Sequence, residues 1–241
     1  MSDPGPLVAD LVLEGGGVKG TALAGAIAAL QEAGYRLNRV AGTSSGALFG
    51  SLVAAGVPAA EVHQRLLDVD YRTLTDPTFW KRLPLPLLND AIAELTDHGL
   101  YRGDALRALV ERELATVHVR TYADLRLDDP GMDPRVPVER RYRLVVVASD
   151  LTRQRMVRIP WYMRFEYGID PDAVSVADSV RMSTAIPFFY TPFTLRSQLT
   201  NQDSVMVDGG VTSTFPADIF DRSDGVPPRW PTFFIGVMGH V

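Results

Sequence analysis

The first 55 or so residues of this chain leave little choice of architecture. A short apolar run, Asp10-Leu11-Val12-Leu13-Glu14, reads as a strand and passes straight into a glycine-rich turn, Gly15 to Gly20. A small-residue helix follows from Thr21 to Ala33, with Gly34 placed to stop it. Leu37 to Val40 reads as a second strand, and Ser45 to Ala55 as a second Ala/Gly/Leu helix closed by Gly56 and Pro58. Strand, helix and strand in so short a span predict a right-handed βαβ unit, and hence an α/β fold with a parallel sheet. The length, 241 residues, suits one such domain over 1–241 and is short for two.

The remainder is less regular. Between Tyr71 and Tyr101, Phe79-Trp80 and the proline-alternating stretch Leu83 to Leu88 break regular structure. Gly103 to Leu114 is amphipathic and helical, Asp128 to Pro137 is a loop, and Tyr142 to Ser149 is the clearest buried strand. Val174 to Ser183 reads as a helix ended before Pro187, and Val205 to Val207 as a short strand leading into Asp208-Gly209-Gly210. Thr232 to Met238 reads as a further buried strand, which needs a following element to cover it. The domain is therefore expected to be truncated at its C-terminal end.

Composition removes several function classes. With 46% hydrophobic and 22% charged residues the chain is globular rather than disordered. A net charge of −5 gives no electrostatic footprint for nucleic acid. No cysteine is present, so disulfide scaffolds, thiolate zinc sites and cysteine nucleophiles drop out; separately, no cofactor is expected. The N-terminus lacks a basic and apolar signal region, and no stretch approaches the roughly 20 apolar residues of a membrane span. The expectation is a cytoplasmic protein whose membrane contact, if any, is peripheral.

Gly42-Thr43-Ser44-Ser45-Gly46 matches G-x-S-x-G and lies between a predicted strand and a predicted helix. That placement holds a nucleophilic serine exposed on a tight turn, with small neighbours so that the turn does not clash. The alternatives are a plain glycine-serine connection, or Ser45 as the exposed hydroxyl. Parallel neighbouring strands bring their C-terminal ends to one edge, so Gly15, Gly16, Gly17 and Val18 should share a crevice with Ser44. Successive glycines there can aim N–H donors at a developing oxyanion, and Lys19 adds a charge suited to a phosphate. Gly15, Gly17 and Gly20 also fit a dinucleotide fingerprint, but the second strand ends in Val40-Ala41-Gly42-Thr43 without the acidic residue that grips a ribose. A phosphate-binding loop fails because Gly20, not Ser or Thr, follows Lys19.

A serine nucleophile needs a base. Of the four histidines, His63, His98 and His118 fall in helical or loop segments, while His240 completes the order Ser44, Asp208, His240 of an α/β-hydrolase triad. The other candidate is Asp208 acting directly, aimed back across the crevice by the Gly209-Gly210 turn. An ordinary Asp-Gly turn is the competing reading of that segment.

Three segments in order resemble the patatin-like phospholipases: the glycine loop Gly15 to Gly20, the elbow with Gly42 and Gly46 around Ser44, and Asp208-Gly209-Gly210. Val147 to Thr152 and Arg181 to Phe189 resemble further segments of that family, with Met182 where alanine is usual. The resemblance implies a three-layer α/β/α fold with a mostly parallel central sheet and a Ser44–Asp208 dyad rather than a triad. It implies an oxyanion hole among Gly15, Gly16, Gly17 and Val18, an acyl-enzyme, no metal, and a phospholipid or other lipid ester as substrate. A general carboxylesterase, a triacylglycerol lipase, and a non-catalytic binding protein keeping the fold are the rivals. On the substrate side, Phe79, Trp80 and Leu83 to Leu88 are candidates for a lid. Trp161-Tyr162-Met163 and Phe188-Phe189-Tyr190 are candidates for an acyl channel, and Arg102 and Arg181 for phosphate contacts.

Overall fold

The computed structural model describes residues 7–16, 21–67, 101–222 and 224–237. Gly17, Val18, Lys19, Gly20, the 71–100 lid segment, His98 and His240 lie outside the described residues, as does the side chain of His63. Strand β1 (Leu7–Leu13) is followed by α1 (Thr21–Glu32) and β2 (Tyr35–Thr43). β1 and β2 are parallel neighbours, with Leu13 opposite Gly42, so the predicted βαβ unit is present. Then come α2 (Ser45–Ala54), α3 (Ala59–Leu67) and α4 (Asp104–Ala115). β3 (Leu144–Asp150) joins β2 in parallel, and β4 (Arg155–Ile159) turns back against it. After a π-helical turn at Met163–Tyr167, α5 (Val176–Ser183) leads to β5 (Phe193–Arg196), β6 (Asp203–Asp208) and β7 (Thr232–Ile235).

The sheet order is β5-β6-β3-β2-β1-β7, with β4 also paired to β3. Its centre, β7-β1-β2-β3, is parallel as expected, β4 and β6 run antiparallel to β3, and β5 pairs antiparallel with β6. All seven residues of β3 are buried, which fits a strand covered on both faces. Alternation divides them: Leu144, Val146 and Ala148 pack into the main core with the helices, while Val145 and Val147 meet Trp161, Ile219 and Phe220 on the opposite face. β4 and β5 escape the sequence pattern because arginine and threonine interrupt their apolar residues. β7 forms an edge, with Phe234 half exposed and packed against Phe215.

The helix predicted from Val174 starts two residues later. Ser175 is its N-cap, accepting the Asp178 N–H at 3.1 Å, and Val174 instead gives its carbonyl to the Tyr122 N–H. Asp178 also places negative charge in the first turn, where the helix dipole favours it. Among the described residues, no helix is long and apolar enough to cross a membrane.

This cap yields a test of how α5 is anchored. Ser175→Ala should cost about 1 kcal/mol of stability, read as a lower urea midpoint with an unchanged slope; an unchanged midpoint would show that packing alone holds the helix.

Candidate active site

The site forms where two strands end on a third. Thr43, the last residue of β2, pairs with Val147, and Asp208, the last residue of β6, pairs with Ala148. These are consecutive residues of β3, so Ser44 and Asp208 leave their strands at one point. The fit leaves no spare room: a Cβ on Gly209 would stand 2.3 Å from the Val147 carbonyl oxygen and 2.8 Å from Thr43 Cγ2.

Ser44 connects β2 to α2 with φ 53° and ψ −123°, a left-handed value uncommon for a residue with a side chain. The flanking glycines are required by close approach. A Cβ at Gly46 would meet the Leu13 carbonyl oxygen at 2.4 Å, and one at Gly42 would meet the Gly46 carbonyl oxygen at 2.3 Å. The plain-connection reading of this segment does not account for a strained serine between two such glycines. Because α2 begins immediately after Ser44, the Ser45 and Gly46 N–H groups at the head of its first turn lie next to the serine, while those of Ala47 and Leu48 already donate to the Ser44 carbonyl at 2.9 and 3.1 Å.

Asp208 is 6% exposed and Ser44 7% exposed. Asp208 Oδ1 accepts the Gly210 N–H at 2.7 Å, so the Asp-Gly turn and the aimed carboxylate are one feature. Oδ2 is enclosed without a completed hydrogen bond. Burial raises the Asp208 pKa; the Ser44 hydroxyl and the Gly210 N–H offset this in part. The Ser44 hydroxyl lowers the proton affinity of Asp208, but no completed hydrogen bond joins it to Oδ2. Such slack is common before substrate binds.

Two of the predicted oxyanion donors are already engaged. The Gly15 N–H donates to the Thr214 carbonyl at 3.0 Å, and the Gly16 N–H to Ser45 Oγ at 2.9 Å. The loop nevertheless sits against the nucleophile, since a Cβ on Gly15 would lie 3.1 Å from Ser44 Cβ. Ser45 is tied to the loop and Ser44 faces the acid, which separates the two serines of the motif.

Several substrate-side expectations change. Arg181 is buried, donates to the Arg102 and Thr191 carbonyls at 2.5 and 2.6 Å, and lies over the Tyr190 ring. It braces the fold rather than awaiting a phosphate. Arg102 is exposed and paired with Asp104 at 3.0 Å. Trp161 and Met163 are core residues on opposite faces of the sheet, and Phe188 points outward, 65% exposed. Among the described residues, no histidine bonds to Ser44 or Asp208, and no cluster of three or more His, Asp and Glu side chains could hold a metal. A cleft of about 410 Å³ lined by Arg39, Arg140, Trp161, Phe220, Arg222 and Trp230 includes neither Ser44 nor Asp208. Most of its charge is paired internally, as Arg39–Asp10, Arg222–Asp133 and Arg229–Asp129.

One contributor carried no role in the sequence reading. Ser183, at the end of α5, accepts the Ser44 N–H through its hydroxyl at 2.8 Å. Its only sequence signal is its position within the stretch Arg181 to Phe189.

The chain is similar to several known proteins. The uncharacterized protein YqhO of Bacillus subtilis (strain 168) is 37% identical over 213 residues, which span 88% of this chain and 67% of YqhO. Uncharacterized protein R571 of Acanthamoeba polyphaga mimivirus is 22% identical over 219 residues, spanning 89% of this chain and 62% of R571. VipD from Legionella pneumophila shares the fold, with a TM-score of 0.52 at 20% identity over 94% of this chain and 49% of VipD. The chain therefore spans about two thirds of these curated relatives and about half of VipD. The family model for patatin-like phospholipase matches residues 11–221, and the chain belongs to that family.

Proposed function

We propose that this domain hydrolyses lipid carboxylic esters of the phospholipase A or lysophospholipase type, with Ser44 as nucleophile and Asp208 as its base. The observation that carries the reading is the strained Ser44 facing an enclosed carboxylate with one uncommitted oxygen. Ser44 Oγ adds to the ester carbonyl while Asp208 takes its proton. The tetrahedral adduct collapses to an acyl-enzyme, and Asp208 returns the proton to the departing alcohol. Water then adds to the acyl-enzyme, giving a proton to Asp208 and restoring the serine as the fatty acid leaves.

The oxyanion requires preorganised donors. With the Gly15 and Gly16 N–H groups engaged, and those of Ala47 and Leu48 bonded to the Ser44 carbonyl, the role is assigned to the N–H groups of Gly17, Val18, Ser45 and Gly46. Lys19 follows directly and would meet a phosphate headgroup. Ile186, Phe188 and Val211 are 40%, 65% and 51% exposed on segments adjoining Asp208, an approach suited to acyl chains and to peripheral contact with a lipid surface.

Fluorophosphonate labelling with peptide mapping tests the nucleophile. Wild-type protein should be modified at Ser44 alone, and Ser44→Ala should not react; modification at Ser45, or none on folded protein, would reject the assignment. Asp208→Asn should slow labelling by 10²-fold or more, as an order of magnitude, whereas His240→Ala should change it little. A collapse in the His240 variant would replace the dyad with a triad. The acid limb of the labelling rate should lie above the ordinary carboxylate range, because Asp208 must be ionised and burial raises its pKa.

The same shift fixes the sign of a stability change. A group with a raised folded pKa stabilises the fold fully below its unfolded pKa and loses that contribution as pH rises through the folded value. Ionised Asp208 is therefore a net cost at neutral pH. Asp208→Asn should leave the melting temperature equal or higher at neutral pH, with the gap closing in acid; a large loss at neutral pH would contradict the desolvation argument.

A further inference from the structure

Ser183 is fully buried at the end of α5 and makes two hydrogen bonds whose directions are unambiguous. Its hydroxyl accepts the Ser44 N–H at 2.8 Å and donates to the Val147 carbonyl at 2.6 Å. A backbone N–H can only donate and a carbonyl can only accept, so the single hydroxyl proton is committed to Val147. Val147 is the residue that pairs with Thr43, immediately before the nucleophile. Ser183 therefore ties the elbow to β3 at the level of the site. Two residues later, the Ala185 carbonyl accepts the Asp208 N–H at 2.9 Å. One short segment thus grips the backbones of both residues assigned to the dyad.

We propose that Ser183 is a positioning residue for the reaction, its hydroxyl fixing where Ser44 stands relative to Asp208. The proposal rests on the Ser44–Asp208 reading above. A left-handed conformation at a residue bearing a side chain persists only where its surroundings over-determine it. The Ser183 acceptor is one such determinant, because it holds the N–H of the strained residue itself. Without it the elbow can relax toward ordinary backbone angles and carry Ser44 Oγ away from the acid. A displacement of about 1 Å at a reacting atom costs on the order of 10²-fold in rate. The Arg181 guanidinium, bonded to the Arg102 and Thr191 carbonyls, anchors the same helical turn.

The test uses the whole chain carrying Ser183→Ala, Ser183→Cys or Ser183→Thr. The readouts are the fluorophosphonate labelling rate, and kcat and KM for p-nitrophenyl butyrate, each followed across pH, with thermal unfolding as the fold control. Ser183→Ala should label on the order of 10²-fold more slowly, with kcat reduced and KM nearly unchanged. Its acid limb should move to higher pH, because the Ser44 hydroxyl no longer lowers the proton affinity of Asp208. Threonine, which keeps the hydroxyl, should restore most of the rate. Cysteine, a poor acceptor of similar size, should not, and it serves as the decisive variant if alanine fails to fold. A folded alanine or cysteine variant that labels at the wild-type rate overturns the positioning role. Rates that merely follow thermal stability across the three variants also overturn it. Wild-type protein that does not label at Ser44 would instead defeat the underlying hydrolase reading, so the two failures are separable.

Discussion

Two adjacent hydrogen-bonded positions on β3 hold this site together. Val147 receives the end of β2 and Ala148 the end of β6, so a strand from the N-terminal βαβ unit and one from the later half meet nearly head-on. Side chains in a strand alternate faces, so a slip of one residue in either register would send the wrong set toward the core. The burial of β3 on both faces opposes such a slip, since Leu144, Val146 and Ala148 face the helices and Val145 and Val147 the opposite layer. The geometry of the serine and the aspartate is thereby inherited from sheet register.

The site holds features that oppose stability. Ser44 sits at a positive φ, and Asp208 is a carboxylate withdrawn from water with one oxygen enclosed and without a completed bond. Both are tolerated because their neighbours allow few alternatives: the Leu13 and Val147 carbonyls press on Gly46 and Gly209, and Ser183 holds the serine N–H. In the reaction we propose, desolvation is useful: it raises the proton affinity of Asp208 toward what a base needs to take a proton from a hydroxyl.

The two sides of the sheet divide the work. One packs the helices into the main core, including α2 and α5, which carry Ser44 and Ser183 at their ends. Among the described residues the other is covered by Trp161, Ile219 and Phe220, beside a cleft whose arginines are largely paired with aspartates. The exposed apolar residues Ile186, Phe188 and Val211 instead flank the segments that hold Asp208.

Much of this was legible in the order of residues. Apolar runs separated by glycine turns specified the βαβ unit, because strand and helix periodicities and their stop signals are local. Gly42, Gly46 and Gly209 stood out within their motifs, and the structure gives the reason: another backbone comes within 3 Å of where a side chain would begin. Other features had no local signal. Strands β4 and β5, and the antiparallel direction of β6, depend on pairing partners distant in the chain, and Arg181 reads as a candidate phosphate contact until Arg102 and Thr191 are seen around it. The engagement of the Gly16 N–H by Ser45 and the grip of Ser183 on Ser44 join residues 29 and 139 positions apart. The sequence by itself determined which groups could do chemistry and on which kind of turn each would sit. Only the tertiary structure decided which of them meet, because hydrogen-bond register across β3, and not any local pattern, sets the distance between residues 44, 183 and 208.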